Sequence, residues 1–417
     1  MDAYRYTLAD FYASDSPSVV EPPADWGAWL AEPATQACMA LFEQPLLAAP
    51  RAATRIASRF DGTERDVINL TSYNYLGLAT HPEVIGAARD ALETYGLGAS
   101  GAAMLSGTYD VHVRLAEQLA AFKGREACAL FSGGLMANYG ALQGMLRRGD
   151  VLVMDEKCHQ SIIDGGTLAR AKSVFFRHND PDALAAVLEA HRGKRVLVAV
   201  EGVYSMDGDL GDLTRLAPVC AAHGAPLYVD EAHSSLLFGR TGRGIAELQG
   251  VEDQVAVTFG TLSKAFGGVG GFICSTQAIV RYIKAYASAY AFSCAPSPPV
   301  VAGCLKALEV ATRNHDLQDR LWRNVARMRA NLEAMQLNLG DSASQVIPII
   351  IGDSAELLFD IARRVQARGV FLQPVDYPAV PADQRRFRLS VTAMLTDTQI
   401  DDACNVIEDE IAQRVKR

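Results

Sequence analysis

One lysine, Lys264, stands in the window Thr258–Ser275 among Gly260, Thr261, Ser263, Gly267 and Gly268. The apolar runs Val255–Phe259 before it and Phe272–Cys274 after it read as buried strands. A lysine on a tight, small-residue turn between such strands is poorly placed for solubility. It is well placed for covalent chemistry, because desolvation lowers an amine's pKa and frees its lone pair. An ordinary exposed loop lysine would show the same window. A phosphate loop would not: GxxxxGK[ST] is absent, and the glycines do not fit GxGxxG opening a helix.

A second apolar run, Pro226–Val229, ends in Asp230 and is soon followed by His233. Asp230 precedes Lys264 by 34 residues, room for one crossover and one strand. Alone, a strand-end aspartate is more often a cap or a turn residue. Paired with the lysine, it matches what pyridoxal 5'-phosphate requires. The amine forms a Schiff base, and the carboxylate keeps the pyridine nitrogen protonated so that the ring accepts electrons.

The elements that must position this pair alternate regularly. Strands are expected at Cys128–Phe131, Val151–Asp155, Val174–Arg177, Val196–Glu201 and Leu227–Asp230, with helices at Leu135–Leu146, Gln160–Arg170, Pro181–His191 and Thr214–His223 between them. This order predicts an α/β fold: a mostly parallel, doubly wound sheet with helices on both faces. Ligands of such sheets bind beyond the carboxyl ends of the strands. The residues there are polar or glycine. Ser132-Gly133-Gly134-Leu135 opens a helix whose free N–H groups suit a phosphate, though a plain helix start reads the same. His159 follows the second strand and can stack on a flat ring. Ser205 can bond a ring oxygen, while Asp207 and Asp209 fit the turn itself.

A length of 417 residues predicts two to three domains, and 49% hydrophobic content allows a large core. The net charge of −9 argues against nucleic acid as a partner. Eight cysteines without CxxC spacing read as buried free thiols in a reducing compartment, with no metal site. No apolar run approaches 18 residues and no signal peptide is evident, so the expected location is cytoplasmic.

Residues 1–66 read as an N-terminal arm and helical segment. Ser14–Asp25 with Pro17, Pro22 and Pro23 reads as a linker, and Trp26–Leu47 has helical spacing. Residues 67–310 form the large domain, and 311–417 a smaller C-terminal α+β domain. The latter begins with a helix, Asp316–Leu337. Strands at Val346–Ile351, Phe371–Val375 and Phe387–Val391 and helices at Ala355–Arg368 and Thr398–Val415 follow, with Arg385, Arg386 and Arg388 near its last strand.

Together, NLTSYNYLGL (69–78), SGTYDVHVRLAEQLAAFKG (106–124), FSGGLMAN (131–138), EGVYSMDGD (201–209), VDEAHS (229–234), GRTGRG (239–244) and GTLSKAFGGVGGF (260–272) resemble the α-oxoamine synthases. These fold-type-I pyridoxal-phosphate enzymes join an amino acid to an acyl thioester. FRHN (176–179), EGVYSM and GGVGGF look most like the bacterial serine palmitoyltransferase branch. The resemblance implies that Lys264 forms the Schiff base, Asp230 holds the pyridine nitrogen and His159 stacks on the ring. It sets Ser205 and His233 near the cofactor's 3'-oxygen, and Thr261, Gly134 and Leu135 at its phosphate. Ser293 would reach the phosphate in the second subunit, which implies a homodimer with shared sites. Arg388 would hold the amino-acid carboxylate, as a planar bidentate fork suits. Asn74 and Ala103 are further substrate-binding candidates.

The implied reaction is a decarboxylative condensation of an L-amino acid, serine before alanine or glycine, with a neutral fatty acyl thioester carried on CoA or an acyl carrier protein. A lipid product would allow a peripheral membrane contact. The chain departs from many relatives at Gly101-Ala102-Ala103, at Leu135 and at Ala393-Met394-Leu395. The substrate pair therefore stays open to an 8-amino-7-oxononanoate synthase-like, a 2-amino-3-ketobutyrate CoA ligase-like or a natural-product enzyme, and to an aminotransferase of the same fold.

Overall fold

The computed structural model describes residues 4–12, 16, 18–59, 62–313 and 315–415. Ser14, Asp15 and Pro17 of the expected linker lie outside them. Among the described residues the strands are β1 (Ala53–Ala57), β2 (Glu64–Asn69), β3 (Ala127–Phe131), β4 (Val151–Asp155), β5 (Lys172–Phe176), β6 (Val196–Glu201), β7 (Leu227–Asp230), β8 (Val255–Thr261), β9 (Gly271–Ser275), β10 (Val346–Gly352), β11 (Val370–Phe371), β12 (Pro374–Val375) and β13 (Arg385–Ser390). The chain divides into two compact units. One takes Leu76–Ser205 and Asp209–Asp319; the other takes the residues up to Tyr75, Met206–Gly208 and those from Arg320 on.

The larger unit holds a seven-stranded sheet in the order β3-β9-β8-β7-β6-β4-β5. The pairs β5–β4, β4–β6, β6–β7 and β7–β8 are parallel, and β9 runs antiparallel to β8 and β3. Strands β3, β4, β7 and β9 are buried at every residue, as a sheet covered by helices on both faces requires. Leu142, Leu152, Ala199, Tyr228, Val257 and Ile273 belong to one apolar core around this sheet. The carboxyl ends of β4, β6, β7 and β8 lie side by side, so the loops after them share one edge.

The smaller unit has two three-stranded sheets, β1-β2-β11 and β10-β13-β12. Three expectations change here. The helical spacing of Trp26–Leu47 resolves into two short helices, Ala24–Ala31 and Pro33–Met39, with no helix after them. Pro33 cannot extend the first helix, having no N–H and a ring that clashes with the preceding turn, so it starts the second. The single strand expected at Phe371–Val375 is two: β11 runs parallel to β2, and β12 pairs antiparallel with β13. The helix expected at Thr398–Val415 begins at Asp397 and carries a wider, π-type turn at Glu408–Ala412. Seven cysteines are buried free thiols as expected, but Cys294 is exposed. It follows Phe292 and Ser293 on a surface loop, where Ala102 and Cys294 form an isolated bridge.

Among the described residues, no helix is long and apolar enough to cross a membrane. Also among them, no cluster of three or more His, Cys, Asp or Glu side chains could hold a metal ion.

Candidate active site

A pocket of about 180 Å³ opens at the shared strand edge of the larger unit. Gly134, Leu135, His159, Ser205, Asp230, His233, Thr261 and Lys264 all line it. Eight residues singled out from five separate segments of the sequence thus meet in one place.

Asp230 ends β7 and is buried, 5% exposed. Its Oδ2 accepts from Asn138 Nδ2 at 3.0 Å and its Oδ1 from the Ala232 N–H at 2.9 Å. Burial pushes its carboxyl above the usual range; the nearby Lys264 charge and these hydrogen bonds pull the other way. Lys264 sits half-buried on the turn that joins β8 to β9. That turn is tight. Gly267 has φ +74°, and a side chain there would collide with the backbone of Ala79.

His159 caps the helix Gln160–Leu168, its side chain accepting from the Ser161 N–H. Glu201, at the end of β6, accepts the His159 backbone N–H and so fixes this corner. Glu201 is itself buried, and burial together with the Asp230 charge pushes its carboxyl well up.

The helix Gly134–Met145 starts at the pocket. A side chain at Gly134 would lie 2.8 Å from Thr261 Oγ1, so only glycine lets the helix start sit against the end of β8. Thr261 Oγ1 lies 2.8 Å from Ser263 Oγ and donates to the Gly270 carbonyl at 3.0 Å. Hydroxyls and a helix N-terminus therefore stand at one end of the pocket, with a buried carboxylate and a lysine elsewhere on its wall. This donor set fits pyridoxal phosphate: N–H groups for the phosphate, Asp230 for the pyridine nitrogen and Lys264 for the aldehyde.

The other candidates lie elsewhere. Ser293 is not among the lining residues; its Oγ is 3.3 Å from Ser132 Oγ. Ala103 lines a different cavity of about 320 Å³, whose walls include His112, Arg281 and Lys284. Met104 and Leu105 are exposed, at 52% and 84%, and are not part of that wall. In the smaller unit, the buried Asn74 donates to the Pro50 carbonyl at 3.3 Å. Arg388 lies on β13 with its guanidinium over the Tyr73 ring.

Asn138, Ser161 and Glu201 are among the pocket residues that the sequence reading did not assign to the site. Asn138 lies one helical turn past the glycine start, on the same face as Gly134. That spacing is the signal that could have found it.

The match to known proteins agrees with this geometry. Residues 65–407 fit the model of the aminotransferase class I and II family. The chain is 38% identical over 351 residues to an 8-amino-7-oxononanoate synthase of Symbiobacterium thermophilum, covering 84% of this chain and 89% of that protein. A serine palmitoyltransferase structure from S. paucimobilis superposes with a TM-score of 0.85 at 31% identity, covering 90% of this chain and 93% of that one. The Sphingomonas wittichii serine palmitoyltransferase gives 0.84 at 32% identity, covering 88% and 92%. The chain therefore belongs to the aminotransferase class I and II family, among its pyridoxal-phosphate-dependent α-oxoamine synthases.

Proposed function

We propose that the protein condenses an L-amino acid with an acyl thioester, releasing the thiol and carbon dioxide. The observation that carries this reading is the single pocket that joins Lys264, Asp230 and His159 beside a helix N-terminus, in a chain of this family.

Bound pyridoxal phosphate supplies an electron-accepting ring next to the substrate's α-carbon. Asp230, offered hydrogen bonds by Asn138 and Ala232 that favour its ionised form, holds the proton on the pyridine nitrogen. Lys264 takes the α-proton as general base. The α-carbon then bonds to the thioester carbonyl carbon, and the C–S bond breaks with its electrons leaving on sulfur as a thiolate, which takes a proton from solvent. The carboxylate leaves as carbon dioxide, and Lys264 returns a proton to the α-carbon. His159 would pack against the cofactor ring and offer a hydrogen bond to the substrate carboxylate, and Arg388 would anchor that carboxylate. Gly134, Leu135 and Thr261 would hold the phosphate, and Ser205 and His233 the 3'-oxygen. A homodimer, in which Ser293 serves the other subunit's phosphate, belongs to the same proposal, as does a cytoplasmic location.

The named sequence relative supports one substrate pair. A product such as 8-amino-7-oxononanoate takes its amine carbon and terminal methyl from alanine and its other seven carbons from an ω-carboxylated acyl thioester. An apolar wall from Met104 and Leu105 beside Ala103 would favour a neutral donor. Those side chains are exposed, and Arg281 and Lys284 line the cavity beside Ala103. A second pair, L-serine with a neutral fatty acyl thioester, is favoured by the two serine palmitoyltransferase structures. Only that pair would bring a lipid product and contact with a membrane surface.

Mass spectrometry of products from alanine, serine and glycine separates the two. Each would be offered with neutral and ω-carboxylated donors of equal length, on CoA and on acyl carrier protein. Higher kcat/KM for alanine with the carboxylated donor supports the first pair, and higher kcat/KM for serine with the neutral donor overturns it.

A further inference from the structure

Asp230 ends β7 and His159 caps the helix after β4, yet the structure ties them together through two residues. Asn138 is 1% exposed, and its amide is fully oriented. Nδ2 donates one hydrogen to Asp230 Oδ2 at 3.0 Å and the other to Ser161 Oγ at 2.9 Å. Oδ1 accepts from the hydroxyl of Tyr228, a fully buried residue of β7. A flipped amide would set Oδ1 against a carboxylate oxygen, so only one orientation satisfies all three partners. Ser161, also 1% exposed, uses a lone pair of Oγ to accept from Asn138. Its hydroxyl hydrogen is then directed to His159 Nδ1 at 2.7 Å. The Ser161 backbone N–H approaches the same Nδ1 at 3.2 Å. Two donors at one ring nitrogen require that nitrogen to be unprotonated, so the proton of the neutral imidazole sits on Nε2.

We propose that Asn138 and Ser161 are positioning residues that join Asp230 to His159 and hold the imidazole as its Nε2–H tautomer. The inference rests on the functional reading of Lys264, Asp230 and His159 given above. Its consequence is chemical. An imidazole held this way donates through Nε2, as the carboxylate of an amino acid requires; the other tautomer would present a lone pair there. Asn138 acts at the opposite end as well, since its N–H favours the ionised form of a carboxylate whose pKa burial raises.

The test is ¹⁵N NMR of histidine-labelled protein, with and without added pyridoxal phosphate. In the wild type, His159 shows a pyridine-like Nδ1 and a protonated Nε2. Ser161→Ala, left with the backbone N–H alone at Nδ1, shifts this pattern towards mixed tautomers, and Ser161→Thr, which keeps the hydroxyl, restores it. A His159 protonated at Nδ1 in the wild type overturns the proposal, as does an unchanged pattern in Ser161→Ala. The wild-type spectrum decides by itself if Ser161→Ala does not fold. A wild-type protein that fails to bind pyridoxal phosphate sinks the functional reading instead, because the tautomer is set by the protein's own bonds.

Discussion

Arg388 stands over the ring of Tyr73, its guanidinium carbon 5.0 Å from the ring centroid and one of its nitrogens donating to the Tyr73 hydroxyl. The two neighbouring arginines are committed to aspartates. Arg385 Nε pairs with Asp376, and Arg386, 1% exposed, pairs with Asp207 at 2.7 Å. The Tyr73 contact holds the Arg388 fork in one plane, which is how an arginine is prepared for a carboxylate. Arg388→Ala is expected to weaken amino-acid binding by about 2–5 kcal/mol, the usual loss when a charged, hydrogen-bonded pair loses one partner. Cofactor affinity should barely change. Titrating the holoprotein's absorbance with amino acid reads both, and an unchanged amino-acid Kd would move the role to another residue.

Lys264→Ala should abolish multiple turnover while the fold persists, because Lys264 is the lysine among the residues lining this pocket. The visible band of the lysine-bound cofactor should vanish with it. Sustained turnover without an added amine would remove Lys264 from its assigned place.

The reach of the sequence differed from element to element. The strand-end residues were legible because a buried parallel sheet writes long apolar runs, and the residue after each run lies on the ligand edge. Asp230, His159 and Lys264 are all of that kind. Asn138 and Ser161 were not, since a polar residue inside a helix has many bland explanations and its partners lie 92 and 23 residues away from Asn138. Helix ends failed where local chemistry overrode periodicity, as at Pro33. The split of β11 from β12 was invisible for a different reason: two-residue strands are decided by which neighbour pairs with them, here β2 and β13.

Asp230→Asn should leave the cofactor bound and slow removal of the α-proton by orders of magnitude. An amide cannot offset the charge of a protonated pyridine, so its pKa falls and the electron sink weakens. Exchange of the amino acid's α-hydrogen for solvent deuterium follows this step without the acyl donor. Exchange at the wild-type rate would show that another group partners the ring nitrogen.

His178 gives a stability prediction that does not depend on the chemistry. Its Nδ1 lies 2.9 Å from Asp155 Oδ1 and its Nε2 2.6 Å from Asp209 Oδ2. Burial lowers its pKa, but the hydrogen bonds and charges of the two aspartates outweigh it and raise it from 6.5 to about 9. The folded value is above the unfolded one, so the contribution is fully present below about pH 6.5 and is lost as pH rises through about 9. Urea unfolding should therefore show a wild-type advantage over His178→Gln that is large at pH 6 and shrinks by pH 10. An advantage independent of pH would mean that His178 is not charged in the fold.

The most direct test of the central claim is a stoichiometry. Holoprotein incubated with an L-amino acid and an acyl thioester should release free thiol and carbon dioxide in equal amounts, with one α-oxoamine formed for each, detected by mass. Release of a keto acid with no thiol would instead make this chain an aminotransferase and contradict the account.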